Sequence, residues 1–402
     1  MTLIPPPEAH TSQNPALNQA LQTADTLARQ FATSAAERDL AGGTPQAERD
    51  ALRASGLLAL SVPTEFGGLG ADWRTTLGVV RRLAQADSSL AHVFGFHHLM
   101  LATVRLFAEP AQWQPWLSQT VQQRWFWGNA LNPLDKRTTV QHHTGWHSFS
   151  GRKSFCSGSA DSDMLIASAL DEASGKLLIA ALPTARAGIT LHGDWNNMGQ
   201  RQTDSGSVTF DQVRVDAHEL LLKPGPLSTP QACLRPLLAQ LIFSHLFLGV
   251  AEGAFEEARR FTRTESRPWF KSGVSEAGQD PYVLAHYGEF WVGLESSRLL
   301  VERAAALFDA AWQQGDQLTV EQRGQVAVAV STAKVASSRH GLDLSSRLFE
   351  VTGARATQAT LRLDRFWRNL RTQSLHDPID YKLNELGQWA LNEQLPPPSF
   401  YS

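Results

Sequence analysis

The chain has 402 residues, with 36 Lys and Arg against 39 Asp and Glu and a formal charge of -3. A chain of that length holds roughly two or three domains and buries a large core, while its near-neutrality gives no electrostatic basis for binding nucleic acid or an anionic membrane. Two cysteines, Cys156 and Cys233, supply no disulfide framework and suit a reducing cytoplasm, the expected location.

The N-terminal MTLIPPPEAHTSQNP lacks the basic-then-apolar pattern of a secretory leader, and residues 1–14 read as a frayed tail. Helical spacing begins with Leu17, Leu21, Ala24, Leu27 and Phe31 on one side and resumes over 44–55, until Gly56 and Pro63 end it. A Gly-rich loop, VPTEFGGLGADW, covers 62–73. Helices are predicted at about 74–86, 89–107 and 110–122, with Asp87-Ser88-Ser89 supplying turn and N-cap chemistry. On the second of these His92, Phe96, Leu99 and Met100 share a face, and His97 lies well around from it. A histidine among aromatics on a buried face is more often a satisfied core residue than a reactive one.

From Arg124 to about 225 short apolar runs alternate with turn residues, and 164–170, 176–183 and 207–215 are the clearest strands. QHHTGWHS, with His142, His143 and His147, reads as a solvated turn; no carboxylate or cysteine joins it at ligand spacing, so no metal is expected. GRKSFCSGSADSD (151–163) surrounds Phe155 and Ser157 with small polar residues. That composition suits close backbone approach to a flat ligand, or equally an ordinary hairpin. The stretch from Gly193 to Val215 opens on a turn carrying Trp195, crosses a polar loop from Gly199 to Gly206, and becomes an alternating strand.

Helical periodicity returns over 229–264, 279–313, 319–352 and 379–391. LLAQLIFSHLFLGVA (237–251) is interrupted by Gln240, Ser244 and His245; no apolar stretch is taken to reach the roughly 18 residues of a membrane span, and a buried core helix is predicted there. Arg267 before Pro268 and Arg355 in VTGARAT are exposed arginines with an anion site as the minority reading. Arg362, Arg365, Arg368 and Arg371 read as salt bridges and interface. In TQSLHDP, Asp377 is placed as an N-cap and Pro378 at the first helical position, which leaves His376 on a rigid turn suited to a catalytic imidazole. The ending LPPPSFYS (395–402) reads as an extended tail over a neighbouring subunit. The domains are then 1–123, helical; 124–228, central β; and 229–402, a helical bundle with tail. GxGxxG, P-loop, HExxH and CxxC patterns are all absent from the sequence.

The runs ERDLAGG (37–43), LRASGLLALSVPTEFGGLGADW (52–73), GRKSFCSGSADSD, DWNNMGQRQTDSGSVTF, TRTESRPW and FWRNLRTQSLHDPIDYK (366–382) resemble the acyl-CoA dehydrogenase superfamily over nearly the whole chain. The narrower resemblance is to its flavin-dependent monooxygenase branch, in particular the members that oxidise dibenzothiophene. It implies a mainly α fold with a central β domain: an N-terminal helical domain, a middle β-barrel or sandwich, and a C-terminal four-helix bundle, assembled as a homotetramer. Phe155 and Ser157 would flank the isoalloxazine, Trp195 would pack against it, and Asn129 would line the flavin pocket. Arg267, across the subunit interface, and Arg355 would reach the phosphate. His92, Ser157 and His376 would surround the reactive oxygen, with Phe96, Met100 and Trp195 lining the substrate pocket.

The cofactor so implied is reduced FMN from a separate NAD(P)H:flavin reductase, together with O2. The reaction so implied is oxygen transfer through a 4a-hydroperoxyflavin to a small organosulfur substrate, sulfide to sulfoxide to sulfone. Alternatives are an N- or aromatic C-hydroxylase of the same branch, an FAD-dependent acyl-CoA dehydrogenase, and a flavin binder without catalysis. A dehydrogenase of the common type carries a glutamate where this chain reads TQSLHDP; Glu385 comes later, inside the final helix. The chain also departs from its dibenzothiophene-oxidising relatives at Phe96, where they carry tyrosine, at Gln373, where they carry a second histidine, and at Ala356, which replaces a glycine.

Overall fold

A computed structural model describes residues 15–402, so the tail read over 1–14 lies outside the described residues. Six helices come first: α1 (Pro15–Ala32), α2 (Ala35–Ala41), α3 (Gln46–Ala54), α4 (Trp73–Ala86), α5 (Ser88–Phe107) and α6 (Pro110–Gln123). Seven strands follow: β1 (Trp127–Ala130), β2 (Thr139–His143), β3 (Trp146–Lys153), β4 (Met164–Asp171), β5 (Lys176–Pro183), β6 (Ile189–Leu191) and β7 (Val208–Asp216). The chain closes with α7 (Leu234–Thr264), α8 (Pro281–Gln314), α9 (Val320–Thr352), α10 (Asp364–Ser374) and α11 (Ile379–Asn392). This is the mainly α architecture with a central β domain that the sequence predicts.

Local chemistry sets the helix ends. Asp87 caps α5 by accepting from the Ser89 and Leu90 amides at 2.9 and 3.0 Å. Thr319 and Gln322 form a capping box at α9, and Pro281 stands at the first position of α8. The amides that open α4 are taken by a distant carboxylate, Asp309 of α8, at 2.7 Å from Trp73 and 2.9 Å from Arg74. Burial raises that carboxyl to about 6.

The sheet runs β1-β4-β2-β3-β7-β6, with β5 also on β4. β4 therefore has three neighbours, which it can accommodate only because β1 and β2 use opposite ends of it and the sheet curls. Its concave side has a core of its own, including Phe149, Leu165, Leu182, Phe210 and Val213. The larger core lies between the N-terminal helices and the C-terminal bundle. α5 and α7 run through it almost wholly buried, which is why neither has a polar face.

Two expectations are corrected. Both α5 and α7 are long and apolar enough to cross a membrane, although only a shorter run was recognised in α7; their apolar windows are 94% and 100% buried, as core helices are. The triplet His142, His143 and His147 stands on β2 and β3 rather than in a turn, and β4 does bring a carboxylate to it, Asp171 at 3.0 Å from His142. The ending 395–402 is extended and bonds to its own chain: Arg323 donates to the Pro396 carbonyl at 3.0 Å, Lys382 to that of Tyr401 at 2.6 Å, and Ser402 to Glu385 at 3.0 Å. Gly324 makes room for it, since a Cβ there would come within 2.6 Å of Leu395.

Candidate active site

α5 presents His92, Phe96 and Met100 on one face, as the helical period predicts. The His92 ring stacks on Phe96 at 4.2 Å and lies parallel to Phe243 of α7 at 6.0 Å. Phe243 in turn meets His376 at 4.8 Å, so two imidazoles approach one phenyl ring from different elements. His92 is 3% exposed, and neither ring nitrogen has a partner among the described residues. Burial, with a smaller push from His376, lowers it to about 3, so it is a neutral imidazole at any working pH. The adjacent His97 and His98 have structural work instead. His97 bonds the Leu58 carbonyl at 2.8 Å and accepts from the Trp127 amide, and His98 bonds Ser61 at 2.7 Å.

The β domain brings two loops to this helix. The loop after β3 (154–163) and the loop before β7 (193–206) are laced by main-chain bonds, Gly158 to Thr203 at 2.8 Å and Cys156 to Gly206 at 2.9 Å. Asn129 on β1 donates its amide to the Ser157 carbonyl at 2.9 Å, and its side-chain oxygen accepts from the Leu131 amide. Ser157 is buried and begins a row of hydroxyls: its Oγ lies 2.9 Å from that of Ser205, which lies 2.7 Å from Thr203 Oγ1. Trp195 is pinned through its indole nitrogen to the Gln200 carbonyl at 2.7 Å. Phe155 stands edge-on to it at 6.0 Å, 62% exposed, at φ 58°. A left-handed, solvent-facing phenylalanine is costly, and a flat ligand against it would recover the exposed area. Cys156 between them is pushed up to about 12 by burial, which leaves no thiolate for chemistry.

The sequence did not reveal what holds these loops. Arg49 of α3 is 0% exposed. Its guanidinium reaches Asp161 and Asp204 at 3.0 Å each and stacks over Phe126 at 4.2 Å. It thus ties one loop to the other. On the far side Gly199 lies so close to α10 that a Cβ would come within 2.1 Å of the Arg368 carbonyl, and the Gln200 amide donates to Asn369 at 2.7 Å.

His376 has a carboxylate beside it. Its Nδ1 is 3.0 Å from Asp377 Oδ1, and Asp377 pairs through Oδ2 with Lys334 of α9 at 2.5 Å. Gln240 of α7 also bonds Lys334. Asp377 is therefore not the N-cap of α11, as its place before Pro378 suggested: Pro378 holds that position, without a side-chain bond. The reason is the buried ammonium of Lys334, which outbids the helix amides for the carboxylate. Against the upward push of burial, the hydrogen bond from His376 and then the Lys334 ammonium keep Asp377 well below the usual carboxylate range, while burial lowers Lys334 to about 8. With Nδ1 donating to Asp377, Nε2 of His376 remains for a ligand. Glu385, the other acid in this part of the chain, is held by Lys382 and Ser402.

Arg267 and Arg355 stand elsewhere. Both are exposed at the far end of α7, where Arg355 donates to the Glu265 carbonyl. Thr264 ends that helix 21 residues beyond Phe243, about 31 Å along its axis. The structure thus brings together His92, Phe96 and His376 around Phe243, and Asn129, Phe155, Ser157 and Trp195 on the loops beside α5, and it leaves the two arginines apart. Among the described residues there is no group of three or more His, Cys, Asp or Glu that could hold a metal.

The arrangement fits a flavin. An exposed aromatic edge, a buried imidazole with both nitrogens free and a close-packed glycine cradle lie side by side; at Gly128 a Cβ would meet Gly158 O and Ser159 Cα at 3.0 Å. Comparisons with known proteins point the same way. The profile described as acyl-CoA dehydrogenase, N-terminal domain, matches residues 16–124, and that described as acyl-CoA dehydrogenase, C-terminal domain, matches 241–381. A probable FMNH2-dependent monooxygenase of Pseudomonas putida is 68% identical over 384 residues, covering 95% of this chain and 97% of its own. The solved structure of a methanesulfinate monooxygenase from Pseudomonas fluorescens superimposes with a TM-score of 0.94 at 71% identity, covering 95% of this chain and 99% of that one. The FMN-bound structure of a dibenzothiophene monooxygenase from Paenibacillus sp. A11-2 gives 0.92 at 44% identity, covering 96% and 100%.

Proposed function

The chain belongs to the acyl-CoA dehydrogenase family, among its FMNH2-dependent monooxygenases, and from this we propose that it transfers one atom of O2 to the sulfur of a small organosulfur compound in the cytoplasm. The observation that carries the reading is the pair of imidazoles around Phe243, one neutral and free at both nitrogens, the other oriented by an ionised aspartate. A dehydrogenase needs a free carboxylate to take a proton; here Asp377 is engaged by Lys334 and Glu385 by Lys382.

Bound reduced FMN supplies, on reaction with O2, a 4a-hydroperoxide with an electrophilic distal oxygen. The residues do the rest. Phe155 and Trp195 cover the ring, and Asn129 and Ser157 offer polar edges to it. Ser157 and the neutral imidazole of His92 would hold the oxygen by hydrogen bonds, and His376, oriented by Asp377, would supply the proton to the departing hydroxyl. Phe96, Met100 and Phe243 keep water away, which favours product over hydrogen peroxide. A thioether would pass in two rounds through sulfoxide to sulfone. A sulfinate, taken to sulfonate in one round, is the second reading, favoured by the likeness to a methanesulfinate enzyme. A separate NAD(P)H-dependent reductase supplies the flavin. Arg267 and Arg355, about 31 Å from Phe243, serve the phosphate of a flavin in a neighbouring subunit. Exposed Trp269, Phe270, Val292 and Leu299 give a homotetramer apolar surface to bury.

Two measurements test the reading. Mixing FMN-loaded, photoreduced protein with O2 is expected to give a long-lived hydroperoxide absorbance; immediate reoxidation, or turnover of an acyl-CoA with an artificial acceptor, contradicts it. Ser157→Ala is expected to lower oxygenated product per reduced flavin by about 100-fold, with the balance appearing as hydrogen peroxide. An unchanged ratio removes Ser157 from this role.

A further inference from the structure

Arg235 lies in the first turn of α7 and is 6% exposed. Its Nε donates to Thr103 Oγ1 at 3.2 Å, and no carboxylate pairs with it among the described residues. Thr103 does not depend on that bond, because its hydroxyl also donates to the Leu99 carbonyl at 2.7 Å. Some buried arginines carry carboxylate partners, while Arg323 and Arg365 bond only main-chain carbonyls among the described residues. Arg49 has Asp161 and Asp204, and Arg81 has Glu252 and Glu302. A buried cation without an anion is costly to keep, and at Arg235, with a single hydroxyl, a partner from outside the fold offsets that cost. Burial pulls the guanidinium down to about 10, opposed only by the field of Tyr401.

Its position indicates where that partner sits. α5 and α7 run antiparallel here, with His92 against Phe243, Gly95 against Ile242 and Thr103 against Arg235. Phe96, Met100 and Thr103 follow one another on a single face of α5. Arg235 is therefore about 12 Å, two helical turns, along the same wall from Phe243, and a long side chain closes much of that distance. Tyr401 joins the two ends: its ring is 5.7 Å from His376, and its hydroxyl and Arg235 feel each other's field. The wall that carries the aromatic rings and the two imidazoles thus has a lone guanidinium two turns along it.

We propose that Arg235 is the specificity-determining residue of this pocket and that it receives the two oxygens of an alkanesulfinate. This rests on the sulfur-oxygenase reading above and adds the substrate's charge to it. A guanidinium fork matches two oxygens on one atom. A sulfinate is the sulfur oxyanion of that geometry which still has a lone pair on sulfur to oxidise; a sulfonate has none, and a neutral thioether leaves the cation unmatched. The balance is RSO2− + O2 + FMNH2 → RSO3− + H2O + FMN. One S–O bond forms, the O–O bond breaks, sulfur and flavin each give up two electrons, and the second oxygen leaves as water.

The test compares kcat/KM for methanesulfinate with that for a neutral thioether, using FMN-loaded enzyme, a flavin reductase, NADH and O2. Arg235→Met is expected to lower the sulfinate-to-thioether ratio by about 100-fold, and Arg235→Lys, which keeps the charge and loses the fork, by about 10-fold. An unchanged ratio overturns the proposal. Methanesulfonate, the unreactive product anion with one oxygen more, is expected to bind the wild-type holoenzyme by calorimetry and to inhibit it competitively. A wild-type protein indifferent to methanesulfonate overturns the proposal without any variant. Wild-type protein that binds methanesulfonate and oxidises no sulfur compound leaves the anion site standing and removes the oxygenase reading instead.

Discussion

Two buried arginines divide the molecule by purpose. At the seam between α3 and the β domain, Arg49 has a carboxylate on each of two loops and an aromatic ring beneath it. In the slot between α5 and α7, Arg235 has a single hydroxyl. The seam is electrostatically complete, which makes it a scaffold. The slot is incomplete within the fold, and the same incompleteness recurs at His92 with its two unpartnered nitrogens. Saturated polar groups mark what is built; unsaturated ones occur in the plain core too, as at His245, and at Arg235 and His92 they stand along one wall.

The largest effect expected from this contrast is at the seam. Arg49→Met leaves Asp204 buried with only the Thr44 hydroxyl, while Asp161 keeps Arg53, and is expected to cost about 3–5 kcal/mol in denaturant unfolding. A loss below about 1 kcal/mol would erase the distinction. A pH series reaches the slot and its surroundings. His92 and His245 are lowered to about 3 and His97 to about 4, all by burial. Because these folded values lie below the unfolded 6.5, the unfolded chain takes up protons that the folded one refuses. Stability is therefore full above that pH and is lost as pH falls towards the folded values, by about 1.4 kcal/mol per pH unit for each histidine. Asp309, raised to about 6, has the opposite sign between its folded and unfolded values. With His98, which burial also lowers, four histidines less one carboxylate leave a net fall of about 4 kcal/mol per pH unit, to be read from unfolding curves between pH 6 and 4.5. A flat profile would mean that the histidines are solvated.

A smaller effect is expected at the bridge between the two regions. Asp377→Asn keeps an acceptor for Lys334 while removing the charge beside His376, and oxygenation is expected to slow about tenfold with a displaced pH profile. Steady-state product formation checks this, and unchanged kinetics would assign Asp377 to packing alone. The smallest effect is at Arg235 itself. Its replacement by Met strands no acid, so unfolding is expected to shift by less than about 1 kcal/mol; a loss on the scale of Arg49 would reveal a partner within the fold.

What the sequence disclosed divides along similar lines. The face of α5 with His92, Phe96 and Met100 was legible, because helical spacing fixes which side chains are neighbours, and so was its cap at Asp87. β4, β5 and β7 were legible through their Val, Leu and Ile runs. β1, β2, β3 and β6 were not singled out: WGNA and TVQHH have no apolar run, and β6 has three residues. The clamp at Arg49 had no local signal, since its partner Asp204 lies 155 residues away. Ser205 and Thr203 looked like ordinary loop residues until the fold aligned their hydroxyls with Ser157. Asp377 misled because Asp-Pro before a helix is a sound capping pattern, which a lysine 43 residues earlier overrode.

The contact of Gly199 with the Arg368 carbonyl bears on how such proteins can be recombined. Backbone there touches backbone, so no side chain can adjust to take up a mismatch. A chimera that imports the β domain of a relative must bring the matching stretch of α10 with it, and the α3 arginine as well. Grafts cut at the interdomain connections alone are expected to yield protein with loops out of register and little affinity for flavin.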